Sequence, residues 1–228
     1  MLSNFIVWKN FSILYCKEDD ILPDILETFY GKGIQINQLL LLDESLNKTL
    51  SEMFGKKNWK FLSIIEHPIE RFFRKFIHYC VNGNNSKETQ NCYGCKDNLE
   101  CLLTVIFKVS TEYTKKEPIF KPTYFDEIFM PYSWKCNFYN DLSDYEKIIY
   151  YDKVKFKNQI TKLLNDTNVI IKNNNTFDTL IEKAHEKNTE NGIKKYQEML
   201  LNDRRMLFKF VTVYFHDFLR YGIEMPTF

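Results

Sequence analysis

The segment KFLSIIEHPIERFFRKFIHYCVNG, residues 60–83, limits what this chain can fold into more than any other stretch. It begins with a short apolar run that is typical of a buried strand. Pro68 follows, and proline favours the first turn of a helix. Behind it, apolar residues recur at i, i+3, i+4, i+7, i+8 and i+11: Ile69, Phe72, Phe73, Phe76, Ile77 and Cys80. The spacing predicts a buried strand that leads directly into an amphipathic helix.

Polar residues occupy the other side of this predicted helix and the turn before it. Glu70, Arg71 and Arg74 fall between the apolar positions, so we expect them on a solvated face. Glu66 and His67 form the turn. Many α/β enzymes bind an anion at such a turn, because the helix N-terminus offers unpaired N–H groups. His67 is open to two interpretations, as an N-cap of the helix or as a catalytic group.

Two other apolar runs are each followed by a predicted helix. Residues 11–16, FSILYC, precede a helix over 21–31, and residues 147–151, KIIYY, precede a helix that contains VKFKNQITKLL. Short strands that alternate with helices predict an α/β fold, with a parallel sheet and flanking helices. A length of 228 residues fits a single domain that spans residues 1–228.

The remaining segments add helices around this sheet. Residues 99–113 form one predicted helix, and the C-terminal part forms two, broken near Asn202 and Asp203. In the second of these we expect a buried stripe of Leu207, Phe210, Val211, Tyr214 and Phe218. The aromatic-rich segment 123–139 is predicted to be irregular, and residues 82–98 form a polar, cysteine-bearing insertion.

The charge pattern excludes some classes of partner. The formal net charge is +1, and Lys and Arg are interspersed with Asp and Glu rather than gathered in blocks. This pattern gives no general basis for binding nucleic acid or an anionic membrane. No run reaches the roughly 18 apolar residues of a membrane span, and no targeting signal is visible. We therefore expect membrane attachment only through an anchor that is absent from this sequence.

The cysteines leave two interpretations open. The chain has six, and three of them crowd into CYGCKDNLEC, which favours disulfides and an oxidising compartment. The Cys92-x2-Cys95 spacing also suits zinc, although a second pair with ligand spacing is missing. The disulfide candidates are Cys16, Cys80, Cys92, Cys95, Cys101 and Cys136. Sequons that would suit a secreted glycoprotein begin at Asn10, Asn47, Asn84, Asn165 and Asn174.

Several segments, taken in order, resemble a known family. They are residues 61–76, Cys80, CYGC at 92–95, Cys101, PYSWKCNF at 131–138, YEKIIYY at 145–151 and YFHDFLRYG at 214–222. Their order is similar to that of the carbohydrate-type sulfotransferases that are expanded in nematodes. The resemblance covers most of the chain. It implies a nucleotide-kinase-like fold whose first strand-to-helix turn grips the 5′-phosphosulfate of 3′-phosphoadenosine 5′-phosphosulfate, and whose later turn grips the 3′-phosphate.

This donor makes clear physical demands on the protein. It carries about four negative charges, so it needs N–H groups at helix N-termini and fixed cations around it. Transfer of its sulfuryl group also needs a cation beside the bridging oxygen and a base for the acceptor hydroxyl. The resemblance therefore implies that specific Lys, Arg, Ser, Thr and His positions carry the chemistry.

The first donor turn departs from the family pattern. After Lys17 the family has a run like IPKVMST, with a catalytic lysine and a phosphate-binding Ser/Thr pair. Here EDDILPD follows, so that the lysine position falls on Asp20 and the pair falls on Pro23 and Asp24. The resemblance thus implies a first turn with acids in place of its cation and hydroxyls.

The second donor turn departs in the same direction. The family pattern resembles VRDPIDRFLSGF, whose first arginine and later serine hold the 3′-phosphate. Those positions are Glu66 and Arg74 here, whereas Arg71 matches the pattern. A His-Phe pair of the family falls on Ile128 and Phe129, and a late His/Ser/Thr-rich segment maps loosely onto AHEKNT, which contains His185 and Thr189.

We therefore expect a degenerate carbohydrate sulfotransferase of the secretory pathway, in the Golgi lumen or outside the cell. It keeps the fold as a glycan- or protein-binding module, and 3′-phosphoadenosine 5′-phosphosulfate is not bound. The expected partner is a glycan or glycoprotein acceptor and not nucleic acid. The alternative is an active sulfotransferase with a rebuilt donor site, which uses Lys17 or Arg74 as cations and His67 or His185 as the base.

Overall fold

Among the residues that the structure describes, five strands form one mixed sheet. A computed structural model describes residues 4–17, 21–37, 52, 54–55, 58–82, 92–115, 123–135, 145–171, 174–186 and 191–227. The strands are β1 (Asn4–Trp8), β2 (Ile13–Cys16), β3 (Ile34–Asn37), β4 (Lys60–Ile65) and β5 (Tyr145–Ile149). Their order across the sheet is β3-β1-β2-β4-β5. The strands β2, β4 and β5 were each expected from an apolar run, and they pair in parallel as predicted.

The other two strands, β1 and β3, were not predicted, and they make the sheet mixed rather than parallel throughout. Both pair antiparallel, β1 with β2 and β3 with β1. The 3₁₀ turn Lys9–Phe11 and the left-handed Ser12, at φ 53°, join β1 to β2 over very few residues. A connection this short can only return the chain antiparallel, because a parallel neighbour needs a long crossover. The mixed sheet with flanking helices is nevertheless the α/β class that was expected.

The helices agree closely with the sequence patterns. They are α1 (Ile21–Tyr30), α2 (Pro68–Phe76), α3 (Leu99–Thr114), α4 (Tyr124–Phe129), α5 (Lys153–Asp166), α6 (Asn174–Glu186), α7 (Asn191–Asn202) and α8 (Arg204–Tyr221). The helix α2 continues into a π-helical turn, Ile77–Val81. The predicted break between the last two helices falls at Asp203, whose carboxylate caps α8 by accepting the N–H groups of Arg205 and Met206.

One predicted irregular segment contains a short helix. Within 123–139, α4 begins with a capping box, in which Thr123 and Asp126 satisfy each other's backbone N–H groups. The sequence prediction missed this helix because the segment is short and rich in aromatic residues. The helix α6 was not predicted either, because its sequence is mostly polar.

The chain packs as two units, each with its own core. The first unit, Met1–Glu66 and Lys135–Lys187, contains the sheet with α1, α5 and α6. Its core joins buried strand residues such as Leu62 and Ile148 to Leu26 of α1 and Phe156 of α5. The salt bridge between Lys157 and Asp178 connects α5 to α6 at the surface.

The second unit, His67–Trp134 and Asn188–Phe228, is helical. Its core is rich in phenylalanine from α2 and α8, and the expected apolar face of α2 is buried. The predicted stripe on α8 is confirmed with one change: Val213 is buried, whereas Val211 is only half-buried. The single domain expected over residues 1–228 stays a prediction.

No helix among the described residues is long and apolar enough to cross a membrane.

Candidate functional site

The first candidate turn lies between β2 and α1. Cys16 ends β2 and is buried, and Lys17 after it is half-buried. Residues 18–20, which include Asp20 at the family's lysine position, lie outside the described part of the chain. In the first turn of α1, Pro23 is buried and Asp24 is exposed. Because proline has no N–H group, this helix start has one donor fewer for an anion.

Glu66 follows β4 at the same edge of the sheet as Lys17. Since β2 and β4 are parallel neighbours, their carboxyl ends lie together, and ligands of open α/β sheets bind at this edge. The Tyr150 N–H donates to the carbonyl of Ile65 at 2.9 Å and carries the β4–β5 pairing to the end of the strand. The Glu66 side chain is only 2% exposed. A buried carboxyl group therefore lies at the position where the resemblance described above predicts an arginine.

His67 is the N-cap of α2, as one of its two interpretations predicted. Its Nδ1 atom accepts the backbone N–H of Ile69 at 3.3 Å, so Nδ1 carries no proton. Its ring meets the edge of Phe218, with 6.0 Å between ring centroids. Burial lowers the pKa of the imidazole below its ordinary value. One nitrogen of the neutral ring is thus used to cap α2. A catalytic role for His67 stays a prediction.

Arg71 is buried in the second unit, so the expected solvated face is wrong for this residue. Its Nη2 atom donates to the carbonyl of Ile128 at 3.3 Å and to that of Met130. Its Nη1 atom lies 3.7 Å from a carboxylate oxygen of Asp217. The guanidinium also stacks over the ring of Tyr132, 3.9 Å from the centroid. Arg71 therefore connects α2 to the C-terminal end of α4, to the residues just after it, and to α8.

Asp217 is the partner that sequence reasoning missed. Its two carboxylate oxygens accept the backbone N–H groups of Tyr132 and Ser133 at 2.9 and 2.8 Å. Burial raises the pKa of Asp217, while Arg71 and these N–H donors act in the opposite direction. One signal could have found it, because Asp217 lies three residues after Tyr214 on the apolar stripe of α8. An acid in such a stripe requires a buried partner.

The other candidates are placed as follows. Arg74 is half-buried on α2 in the second unit. His185 lies in α6, in the first unit, and its side chain is outside the described part of the structure, as is Thr189. The structure thus brings Lys17 and Glu66 to one edge of the sheet. The two arginines, Arg71 and Arg74, belong to α2.

Disulfides account for the cysteines of the insertion. Cys80 pairs with Cys92 and Cys95 pairs with Cys101, at Cα separations of 5.4 and 5.5 Å. Both members of the Cys92-x2-Cys95 pair are therefore oxidised rather than arranged around a metal ion. Cys16 is also in a disulfide, and Cys136 lies outside the described residues.

Comparison with known proteins decides the family. The model of the sulfotransferase family matches residues 33–223, which is most of the chain. The chain belongs to the sulfotransferase family. In this sulfotransferase-family chain, the match includes the turn at Glu66 and His67 and begins after the turn between β2 and α1. No solved structure matches the chain.

Two relatives of this sulfotransferase-family chain come from Caenorhabditis elegans. The carbohydrate sulfotransferase chst-1 is 26% identical over 180 residues, which cover 73% of this chain and 53% of that protein. The putative sulfotransferase vep-2 is 33% identical over 97 residues, which cover 42% of this chain and 30% of that protein. The chain thus spans about half, or less, of the length of these relatives.

Proposed function

We propose that this chain is a carbohydrate-sulfotransferase-like protein that has lost donor binding and keeps the fold as a glycan- or protein-binding module. The family's donor is 3′-phosphoadenosine 5′-phosphosulfate. The residues at the two turns fit this polyanion poorly, and each misfit has a separate physical cause.

The observation that carries the proposal is Glu66. Its carboxyl group is buried at the carboxyl edge of the parallel strands, in the position of the arginine that holds the 3′-phosphate in the family. One like-charge contact at about 4 Å costs about 4 kcal/mol at an effective dielectric constant near 20. Even after a severalfold reduction for screening, a carboxylate here turns an attractive contact into a repulsive one.

The first turn supports the same conclusion. A phosphosulfate group needs several backbone N–H donors at a helix N-terminus, and Pro23 in the first turn of α1 supplies none. Asp24 adds a negative charge to that turn where the family pattern has a hydroxyl. In keeping with this divergence, the family match begins only at residue 33.

The remaining cations compensate little. The charge of Arg71 is already engaged by Asp217 and by two backbone carbonyls in the second unit. Lys17 and Arg74 are left as candidates, against the acids Asp24 and Glu66. His67 is a weak choice of base because one ring nitrogen caps α2 and burial keeps the ring neutral.

The relatives and the disulfides support the choice of partner and compartment. One relative is named as a carbohydrate sulfotransferase, so we assign a glycan or glycoprotein to the acceptor side. Disulfides persist in oxidising compartments, which supports a location in the Golgi lumen or outside the cell.

Calorimetric titration with 3′-phosphoadenosine 5′-phosphate tests the proposal. We expect no measurable heat of binding, and the carbohydrate sulfotransferase chst-1 of C. elegans serves as the positive control under the same conditions. A parallel assay measures sulfate transfer from the donor to a panel of glycosaminoglycans. Tight nucleotide binding, or turnover on any acceptor, would overturn the proposal in favour of an active enzyme with a rebuilt donor site.

A further inference from the structure

The outer face of α8 carries an exposed apolar stripe. It consists of Phe208, Thr212, Phe215 and Leu219, and the three large side chains are 56%, 39% and 61% exposed. The 4-3-4 spacing keeps all four side chains within an arc of about 60° around the helix. This is the spacing of the seam of a coiled coil. The opposite face of α8 is occupied by the core of the second unit.

The helix α3 borders this stripe on one side. The ring of Phe107 lies near that of Phe208, with 6.4 Å between centroids. The ammonium of Lys209 donates to Thr104 Oγ1 at 2.7 Å. This hydrogen bond fixes the ammonium group of Lys209 beside the stripe. The stripe and its α3 border together form an elongated surface along α8.

Positive charge lies along one side of the stripe and at its N-terminal end. Arg204, Arg205, Lys209 and Arg220 lie in or beside it, and the acid within α8, Asp217, is buried against Arg71. Within α8 itself, four residues are Lys or Arg and only the buried Asp217 is acidic. A partner must therefore offer apolar side chains at helical spacing with acidic side chains next to them.

We propose that the α8 stripe binds an amphipathic helix of another protein, with apolar residues at alternate three- and four-residue spacing and Glu or Asp beside them. Such a helix lays its apolar face against Phe208, Phe215 and Leu219, as helices bound in grooves generally do. Its acids then meet the arginines and the lysine that flank the stripe. This inference goes beyond the proposed function, and the donor titration does not bear on it.

A second copy of this chain fits the stripe less well. An antiparallel pair of α8 helices aligns Phe208 with Leu219 but places Lys209 beside His216 of the other copy. A parallel pair places Arg204 of one copy beside Lys209 of the other. Like charges oppose the parallel pair, and the antiparallel pair brings no acidic side chain of the second copy to Lys209. Charge complementarity therefore favours an acidic partner helix.

Two synthetic three-heptad peptides test the proposal with the full chain. Both carry Leu at the two seam positions, and the flanking positions carry Glu in one peptide and Lys in the other. We expect the Glu peptide to bind at least about tenfold more tightly than the Lys peptide, and its affinity to fall as salt is raised from about 50 to about 500 mM. Fluorescence anisotropy of the labelled peptides measures both effects.

Variants locate the binding. Phe208→Glu and Phe215→Glu should each abolish binding of the Glu peptide, and Arg204→Glu with Arg205→Glu should weaken it about tenfold. The matched control is Val154→Glu, which alters a residue of α5 that is 70% exposed and should leave binding unchanged. Circular dichroism spectra confirm that each variant is folded.

Three outcomes would overturn the proposal. The first is equal affinity for the two peptides, or affinity that the α8 variants leave unchanged. The second is self-association in sedimentation velocity that Phe215→Glu removes, because the occupant would then be a second copy. The third is binding to vesicles of phosphatidylcholine with phosphatidylserine, lost in the same variants, without binding of the Glu peptide.

Discussion

Arg71 and Asp217 show how one buried charge pair organises the second unit. The pair connects α2, α8 and the backbone of Tyr132 and Ser133 without using an exposed atom. Two charges removed from water are costly, and here two backbone carbonyls, two backbone N–H groups and an aromatic ring compensate for that cost. Arg71 therefore has a structural role that does not depend on donor binding.

The first prediction concerns this pair. Arg71→Ala should lower the free energy of unfolding by about 3–5 kcal/mol, because it leaves a buried carboxylate without its cation. Asp217→Asn should cost a similar amount, and the double variant should cost clearly less than the sum of both. Urea denaturation of the four proteins measures the cycle, with exposed Arg204→Ala as the control. Strictly additive costs would contradict the coupling.

The second prediction concerns the contribution of His67 to the pH dependence of the unfolding free energy. Burial lowers the pKa of His67 in the folded chain, so the unfolded chain, with a pKa of about 6.5, binds this proton more readily. The stabilising contribution is complete above about pH 6.5 and is lost as the pH falls toward the folded value. His67→Asn keeps a capping side chain but does not titrate. Its unfolding free energy should fall less than that of the unmutated chain between pH 7.5 and 5.5, whereas identical slopes would argue against this assignment.

At the scale of elements, the sequence predicted those segments in which one strong pattern dominates. The strands β2, β4 and β5 each contain a short apolar run, and α2 combines a proline start with a helical apolar stripe. The strands β1 and β3 were not predicted. Their antiparallel direction depends on the connections between strands and not on their own residues. The buried position of Asp217 was not predicted, because an acid on a helix is normally solvated and its partner Arg71 is distant in sequence.

The third prediction tests the apolar face of α2. Phe72 packs between Phe129 of α4 and Phe210 of α8, with ring centroids 5.7 and 5.3 Å away. Phe72→Ala should therefore lower the free energy of unfolding by about 3–5 kcal/mol, as truncation of a buried phenylalanine does. Glu70→Ala, on the exposed side of the same helix, should change it by less than about 0.5 kcal/mol. Similar stabilities of both variants in urea would show that the face is assigned wrongly.

At the scale of the whole molecule, the fourth prediction concerns oxidation. All six cysteines should be oxidised in the folded protein, because two bridges enclose the insertion and Cys16 is also bonded. Thiol titration in denaturant without reductant should then detect no free thiol, and four or more would contradict the prediction. Replacing Cys95 and Cys101 by Ser should cost about 2–5 kcal/mol of stability.

The sequence could predict which edge of the sheet carries the candidate residues, but it could not predict the burial and the contacts of their side chains. Parallel strands bring their carboxyl ends together, so the family pattern was enough to place Lys17 and Glu66 at one edge. It could not indicate that the Glu66 side chain is buried or that Arg71 is engaged elsewhere. Both depend on packing between segments that are far apart in sequence.

The last prediction tests how much charge contributes to the loss of donor binding that we propose. Glu66→Arg with Asp20→Lys replaces two acids by two cations at the family's donor positions. If charge were the whole cause, binding of 3′-phosphoadenosine 5′-phosphate would approach that of an active relative. Because Glu66 is buried, Glu66→Gln with Asp20→Asn serves as a companion that removes the charges and keeps the side-chain shapes.

We expect the Arg/Lys variant to gain weak nucleotide binding that falls steeply with salt, and the Gln/Asn companion to gain less. Pro23 still lacks an N–H group and the hydroxyls of the first turn are still missing, so that turn remains short of hydrogen-bond donors. Neither variant should transfer sulfate to a glycan. Calorimetry and a donor-turnover assay measure the two properties separately. Tight, salt-insensitive binding by the Arg/Lys variant would show that charge alone had closed the donor site, and that the backbone of the first turn had remained competent.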